Sequence, residues 1–141
     1  MGDTVSYSVV RNEPALAELS ATVERELEER HIAPNVSFAV QLVIDELVSN
    51  IVKDGSGAPA DSAIGVRLHF ESDAVAVEIE NQGDRFNPLE NPDPDLDLPL
   101  EQRPIGGLGI HLSRKMMDDF EYSYRDGNNL MSLRKKFPMD E

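Results

Sequence analysis

Hydrophobic and polar residues alternate in several parts of the chain, which is the pattern of a β-strand with one buried face. The first such stretch is Thr4–Val10, and the next two, Ile64–Phe70 and Val75–Ile79, are close enough to predict a β-hairpin. Near the C-terminus, alternating aromatic residues at 120–124 and a last predicted strand, Leu130–Phe137, flank an Asp-Gly-Asn-Asn turn. The alternation therefore predicts five strands.

Hydrophobic residues recur at helical spacing in three other segments. The predicted helices run from Asn12, as N-cap, to about Arg30; from Asn35, also as N-cap, to about Lys53; and from about Leu108 to Asp118. Between the third strand and the last helix this periodicity is lost, and prolines and acidic residues dominate. A loop of that length is uncommon in a compact domain, so residues 84–107 are predicted to form a lid. The order β-α-α-β-β-lid-α-β-β predicts one domain over residues 1–141.

Composition argues against several classes of protein, namely nucleic-acid-binding, cysteine-dependent, membrane-spanning and exported proteins. The formal net charge is −14, which disfavours binding to nucleic acid, and the absence of cysteine excludes disulfides and thiolate chemistry. The longest apolar stretch, Phe38–Val52, is interrupted by Asp45, Glu46 and Asn50, so we expect no membrane span. The N-terminus lacks the pattern of an export signal, and cytoplasmic localisation is expected.

The second predicted helix carries a polar group beside its apolar face. At 100° per residue, Glu46, Asn50 and Lys53 fall within about 60° of one another. A carboxylate, an amide and an ammonium are thus aligned over two turns. Such a polar flank occurs on most amphipathic helices, so this group alone indicates only a helix edge that meets solvent.

Glycines mark two further places where a ligand can approach the backbone. The third strand ends in Asn81-Gln82-Gly83, and the lid ends in Gly106-Gly107-Leu108-Gly109 at the start of a helix. The free N–H groups of a helix N-terminus suit a phosphate chain. Neither the Walker pattern nor the dinucleotide fingerprint is met, so each glycine run is weak by itself.

Taken in order, Glu46-x-x-x-Asn50, Gly83-x-x-Phe86-x-Pro88 and the Gly106–Gly109 run resemble the GHKL ATPase superfamily. Within it the chain is most similar to stand-alone anti-sigma-factor serine kinases of the RsbW/SpoIIAB type, from Val5 to Phe137. The resemblance implies an α+β fold: a two-layer α/β sandwich of the Bergerat type. Its sheet would be mixed and mostly antiparallel, with helices on one face and an ATP lid.

The resemblance also implies a role for each site residue, with ATP and Mg²⁺ as cofactors. Asn50 would bind Mg²⁺, Glu46 would act as general base, and Lys53 would offset phosphate charge. Contacts to the base or the phosphates would come from Asn81, Gly83, Phe86, Gly106, Gly107, Leu108, Gly109 and Ser132, the last reaching adenine through water.

Two residues depart from the family pattern. Asn81 stands where the family has an aspartate that accepts a hydrogen bond from the adenine amino group, and Asp54 stands where relatives commonly have histidine. An amide can still accept that bond, but without charge assistance, so ATP affinity is expected to fall roughly tenfold.

By resemblance, the chain is expected to be a serine/threonine protein kinase of bacterial partner switching. It would phosphorylate a STAS-type antagonist, bind a sigma factor or other effector in another state, and form a homodimer. A nucleotide-gated binding module without catalysis is the alternative, motivated by Asn81 and Asp54. The catalytic domain of a histidine kinase is a distant third, because only about 34 residues precede the second helix and a dimerisation hairpin is not expected there.

Overall fold

The computed structural model describes residues 3–54, 62–90 and 107–138, and the predicted elements appear in the predicted order. The elements are β1 (Asp3–Val10), α1 (Glu13–Glu29), α2 (Pro34–Asp54), β2 (Ala63–Phe70), β3 (Ala74–Gln82), a 3₁₀ turn (Pro88–Glu90), α3 (Gly107–Met116), β4 (Asp119–Arg125) and β5 (Asn128–Lys136). Most of the predicted lid, residues 91–106, lies outside the described residues.

The five strands form one sheet in the order β1-β2-β3-β5-β4. All four pairings are antiparallel, so the described sheet lacks the parallel pairing that a mixed sheet would contain. The register sets Val66 opposite both Tyr7 and Ile79, and Ile79 opposite Met131. This row lies on the face that the helices cover, so the predicted two-layer α+β architecture is confirmed.

The core lies between this sheet face and the helices. Alternate residues of β2 and β3 are buried beneath the helices, and α2 packs against β3 and β5 as well as against α1 and α3. The buried residues of α2 confirm the apolar face predicted from helical spacing, namely Val40, Val43, Ile44, Leu47, Val48 and Ile51, and they extend it to Val36 and Ala39. By length and composition alone the stretch Pro34–Lys53 would be able to cross a membrane. Its central place in the core accounts for the same apolar composition.

The helix starts show one correct and one wrong prediction. Asn12 caps α1 as expected: its side-chain Oδ1 accepts a 2.8 Å hydrogen bond from the backbone N–H of Ala15. Asn35 does not cap α2, because the helix already begins at Pro34 and the first-turn N–H of Ser37 bonds the carbonyl of Ala33 at 2.9 Å. Proline is favoured at that first position, where its missing N–H has no helical partner to lose.

A tight turn joins β4 to β5. Asp126 and Gly127 have φ values of 55° and 81°, so both lie in the left-handed region that a two-residue type I′ hairpin turn requires. The turn fixes the register in which Tyr124 lies opposite Asn129 and Tyr122 lies opposite Met131. This hairpin positions a buried polar residue at the candidate site.

Candidate functional site

Glu46 and Asn50 lie one turn apart on α2 and are both half-buried, whereas Lys53 is exposed. The side of α2 that meets α1 is marked by Asp45, whose Oδ2 accepts a 3.4 Å hydrogen bond from Ser20 of α1. Asn50 lies about 140° round the helix from Asp45. The carboxylate and amide therefore occupy a flank away from the α1 contact, on a helix that also packs against α3.

Burial changes the pKa of Asp45, the residue that precedes Glu46 on α2. Burial raises the pKa of Asp45 above its ordinary value, and the hydrogen bond from Ser20 offsets part of that effect. Asp45 points towards α1, so it is a packing residue of the helix pair and no part of the flank that carries Glu46.

The end of β3 carries Asn81 on the helix-covered face of the sheet. Asn81 is half-buried, continues the buried row of Val75, Val77 and Ile79, and pairs with Asn129 of β5. Gln82 is exposed and lies on the opposite face. The amide at position 81 is thus available to a ligand held between the sheet end and the helices.

Gly83 ends this strand with a backbone conformation that needs glycine. Its φ is 156°, which residues with a Cβ rarely adopt, and its N–H donates a 3.0 Å hydrogen bond to the carbonyl of Gly127. The hydroxyl of Tyr124 donates to the Gly83 carbonyl at 2.9 Å. Both bonds tie the end of β3 to the β4–β5 hairpin.

Asn129 is a site residue that the sequence analysis missed. It is only 2% exposed, and its Oδ1 accepts hydrogen bonds from the Phe86 N–H at 2.9 Å and from the Tyr122 hydroxyl. Its Nδ2 donates to the carbonyl of Asp84 at 2.9 Å. The side chain of Phe86 itself is 40% exposed, so its backbone is what the fold holds in place.

Ser132 is not brought to this cluster. It lies between the buried residues Met131 and Leu133 and pairs with Glu78 and Glu121, so it faces the side of the sheet away from the helices. The residue of β5 that shares a face and a register position with Asn81 is Asn129. Alternation counted from Leu133 includes Asn129, whereas alternation counted from Leu130 includes Ser132, so only the sheet register decides between them.

The helix α3 begins at Gly107, within the predicted glycine run. Gly107, Leu108 and Gly109 form its first turn, where backbone N–H groups lack helical acceptors and attract an anion. Gly106 lies outside the described residues. The contact between α2 and α3 brings this helix to the same layer as Glu46 and Asn50.

The oxygen atoms of Asn50 and Glu46 fit a magnesium ion that is held mainly by the phosphates of a bound molecule. Within residues 3–54, 62–90 and 107–138, no group of three or more His, Cys, Asp or Glu side chains is placed to hold a metal ion. Mg²⁺ prefers hard oxygen ligands, keeps several waters and often takes one or two protein ligands plus substrate phosphates. The Asn50 amide oxygen, beside the Glu46 carboxylate, matches that requirement.

A shallow depression of about 330 Å³ lies at the same end of the sheet but mainly on its helix-free face. It is lined by Ser8, Ser62, Ala63, Gly65, Glu80, Asn81, Gln82 and Asn128. The carboxylate of Glu80 there is paired with Arg67 at 3.2 Å. Asn81 lines this depression as well as belonging to the candidate site, whereas Glu46 and Asn50, among the described side chains, do not line it.

These features place the chain in the class of two-layer ATPase domains, in which helices cover one face of an antiparallel sheet. A family model described as a histidine kinase-like ATPase domain matches residues 10–135. Because this match covers most of the chain, the protein belongs to the histidine kinase-like ATPase family.

Two curated relatives refine the placement. The serine/threonine-protein kinase BtrW of Bordetella bronchiseptica is 30% identical over 96 residues, which are 68% of this chain and 68% of that protein. The serine-protein kinase RsbW of Listeria innocua is 28% identical over 100 residues, 67% of this chain and 63% of that protein. The chain thus matches about two thirds of each relative's length. The resemblance to RsbW-type members of the GHKL superfamily is confirmed.

Solved structures agree on the fold. The RsbU and RsbW domains of Rv1364c from Mycobacterium tuberculosis give a TM-score of 0.69 at 14% identity, covering 96% of this chain and 33% of that one. The SiaB–SiaC complex from Pseudomonas aeruginosa gives 0.61 at 15% identity, with coverage of 94% and 89%. At these identities the likeness shows the shared architecture.

Proposed function

We propose that this protein is an ATP-dependent serine/threonine protein kinase and anti-sigma-type regulator. The observation that carries the proposal is the α2 flank, where Glu46 and Asn50 are half-buried one turn apart on a helix that also packs against glycine-led α3. Membership in an ATPase family and relatives named as serine kinases support it.

In the proposed reaction Glu46 is the general base. Its carboxylate takes the proton from a serine hydroxyl of the substrate protein while the serine oxygen forms a bond to the γ-phosphorus of ATP. The bond between that phosphorus and the β,γ-bridging oxygen breaks, and ADP leaves. A half-buried carboxylate is suited to this role because partial exclusion of water strengthens its interaction with the substrate hydroxyl.

Mg²⁺, when bound, neutralises charge on the phosphates, and Asn50 is the proposed protein ligand. Lys53, exposed one turn further along α2, is proposed to offset phosphate charge at the open side. Gly106, Gly107, Leu108 and Gly109 are proposed to hold the phosphates through backbone N–H groups at the start of α3.

Asn81, Gly83 and Phe86 are proposed to form the base end of the pocket. The Asn81 amide accepts from the adenine amino group, and Gly83 lets the base approach the end of β3 because it has no Cβ. The amide makes this contact without the charge assistance of the carboxylate that the family pattern carries.

The proposed substrate is a STAS-domain antagonist, and in its other state the protein binds a sigma factor or another effector. The relatives are named as serine kinases, which supports action on a protein substrate, and the SiaB–SiaC structure is a complex with a partner protein. We further propose one domain over residues 1–141, a cytoplasmic location and a homodimer, as the RsbW-type resemblance implies.

The proposal is tested by incubating the purified protein with γ-labelled ATP, Mg²⁺ and the STAS protein encoded beside it. Label should appear on a serine of that protein, and Glu46→Gln should reduce the rate by about 10²–10⁴-fold while ATP still binds. Glu24→Gln is a matched control, because it removes the same charge from an exposed position on α1, away from the flank. An ATP-saturated, folded protein that transfers no label would refute the kinase assignment.

A nucleotide-gated binding module with weak or no transfer is the second candidate. It is favoured by one observation, the amide at position 81 in place of a carboxylate. In that case ATP would control partner association, Glu46→Gln would leave that control intact, and wild-type protein would transfer no label. Measuring partner affinity with ATP, with ADP and without nucleotide separates the two functions.

A further inference from the structure

Asn129 has a hydrogen-bonding arrangement that the proposed chemistry does not use. It is almost completely buried, and both polar atoms of its side chain form hydrogen bonds with residues outside β5. Oδ1 accepts from the Phe86 N–H and the Tyr122 hydroxyl, and Nδ2 donates to the Asp84 carbonyl. Buried polar groups are expensive unless partnered, so this side chain has a defined task.

We call Asn129, Tyr122 and Tyr124 the hairpin clasp, because all three lie on the β4–β5 hairpin and hold the segment Gly83–Phe86. Tyr124 adds a 2.9 Å bond from its hydroxyl to the Gly83 carbonyl. The ring of Tyr122 also carries the Arg85 guanidinium over its face, 5.6 Å from the ring centre. Residues 83 to 86 are thus each held by a polar or cation–π contact from one hairpin.

The clasp takes the place of a backbone ladder. Beyond Gln82 the pairing of β3 with β5 ends, and the Asp84 carbonyl and the Phe86 N–H form hydrogen bonds with the Asn129 side chain. An amide is the side chain that can donate to one and accept from the other at the same time. A carboxylate lacks the donor, and a hydroxyl is too short to span both groups.

We propose that Asn129 is a positioning residue for the nucleotide, which holds Asp84 and Phe86 and thereby fixes the segment that follows Gly83 where it meets the base. This inference rests on the proposed nucleotide-binding function. Asn81 would contact the base directly. Asn129, which lies opposite Asn81 on the same face of the sheet, would instead hold the loop that follows β3. Loosening the clasp weakens binding of the base without altering the groups at Glu46 and Asn50.

The test uses Asn129→Ala and the milder Tyr122→Phe. Ser123→Ala is the control, because Ser123 follows Tyr122 on β4 and lies on the opposite face of the sheet. In nucleotide-free protein, the Phe86 amide should exchange with solvent about tenfold faster in Asn129→Ala than in wild type. The dissociation constant for Mg·ATP should rise about five- to tenfold, and less in Tyr122→Phe. In transfer assays KM for ATP should rise while kcat stays within about twofold.

A structural role alone would not produce that split between KM and kcat. Unchanged exchange at Phe86 in both variants would overturn the clasp, and faster exchange with unchanged Mg·ATP affinity would overturn its role in positioning the nucleotide. If wild-type protein binds no nucleotide at all, the proposed function fails, whereas the exchange measurement still reports whether the clasp exists. Asn129→Asp adds a check, since only its protonated form can donate to the Asp84 carbonyl: relative to wild type at the same pH, the protection of the Phe86 amide, corrected for its intrinsic exchange rate, should recover when the carboxyl group is protonated.

Discussion

The substitution Asn81→Asp tests the base end of the candidate site. Position 81 is half-buried at the end of β3 on the helix-covered face, and the amide opposite it, Asn129, is already engaged with Tyr122, Asp84 and Phe86. Among the residues that the structure describes, the Asn81 side chain makes no hydrogen bond, so a carboxylate at position 81 replaces no protein contact there. Its available donor is the amino group of a bound adenine.

The expected gain follows from the type of hydrogen bond. A neutral hydrogen bond contributes about 0.5–1.5 kcal/mol and one to a charged group about 1.5–3 kcal/mol, so the change is worth about 1–2 kcal/mol. That corresponds to roughly tenfold tighter binding of Mg·ATP. Guanine presents a carbonyl oxygen where adenine presents an amino group, so Mg·GTP should bind more weakly to the variant than to wild type, whose amide can turn to donate.

Calorimetric titration with Mg·ATP, Mg·ADP and Mg·GTP measures both effects. Gln82→Glu is the matched control, because it adds the same charge one residue away on the opposite, exposed face. The control should leave the ratio of ATP to GTP affinity unchanged. The reasoning is refuted if Asn81→Asp leaves that ratio unchanged, or if Gln82→Glu shifts it to the same extent.

Three further predictions concern stability. Leu27→Ala removes a side chain of α1 that is 0% exposed in the core, so the free energy of unfolding should fall by about 2–5 kcal/mol. Urea denaturation measures this change, and a loss below about 1 kcal/mol would contradict the packing described. Gly127→Ala should lower it by about 1–2 kcal/mol, because φ is 81° while the added Cβ meets nothing within 4 Å, so strain is the sole cause; an unchanged midpoint would show that the turn relaxes. Asp45→Asn should raise it by about 0.5–1 kcal/mol at pH 7, since burial raises the pKa of Asp45 and penalises its charged form. As pH falls below the ordinary pKa of an aspartate, both folded and unfolded Asp45 are protonated and the gain should disappear; a gain that is constant with pH would contradict this cause.

The parts of the fold that the sequence predicts well are those with strong periodicity. The apolar arc of α2 and the alternation in β2 and β3 each bury one face, and a shift by one residue would expose the whole set. The element order follows from the same pattern. The sequence does not show whether the sheet is mixed or antiparallel throughout. β3 pairs with β5, and that pairing joins strands separated in sequence by α3 and β4, so it depends on tertiary packing.

The errors arise where local signals compete. Asn35 is a favoured N-cap residue, but Pro34 is equally favoured one position inside a helix start, and the helix takes the earlier residue. In β5 three apolar residues, Leu130, Met131 and Leu133, fit either face of a strand, so the sequence does not reveal which neighbours point to the helices. The register places Asn129 there and Ser132 on the other face.

The site is predicted in part for the same reason. Glu46 and Asn50 lie on a long periodic helix, so their common flank follows from spacing alone. The hairpin clasp joins residues more than 30 positions apart in the sequence, including Asn129 and Phe86. Side-chain to backbone contacts at such separation leave no periodic signal, and they emerge only when the sheet register is known.

The most direct test of the central claim is a crystal structure of the protein with Mg²⁺ and a non-hydrolysable ATP analogue. In that structure the Asn50 amide oxygen should lie about 2.0–2.1 Å from the metal, the phosphates at the first turn of α3, and the base beside Asn81. A nucleotide bound elsewhere, or a metal held without Asn50 while Glu46 points away from the γ-phosphate, would contradict it.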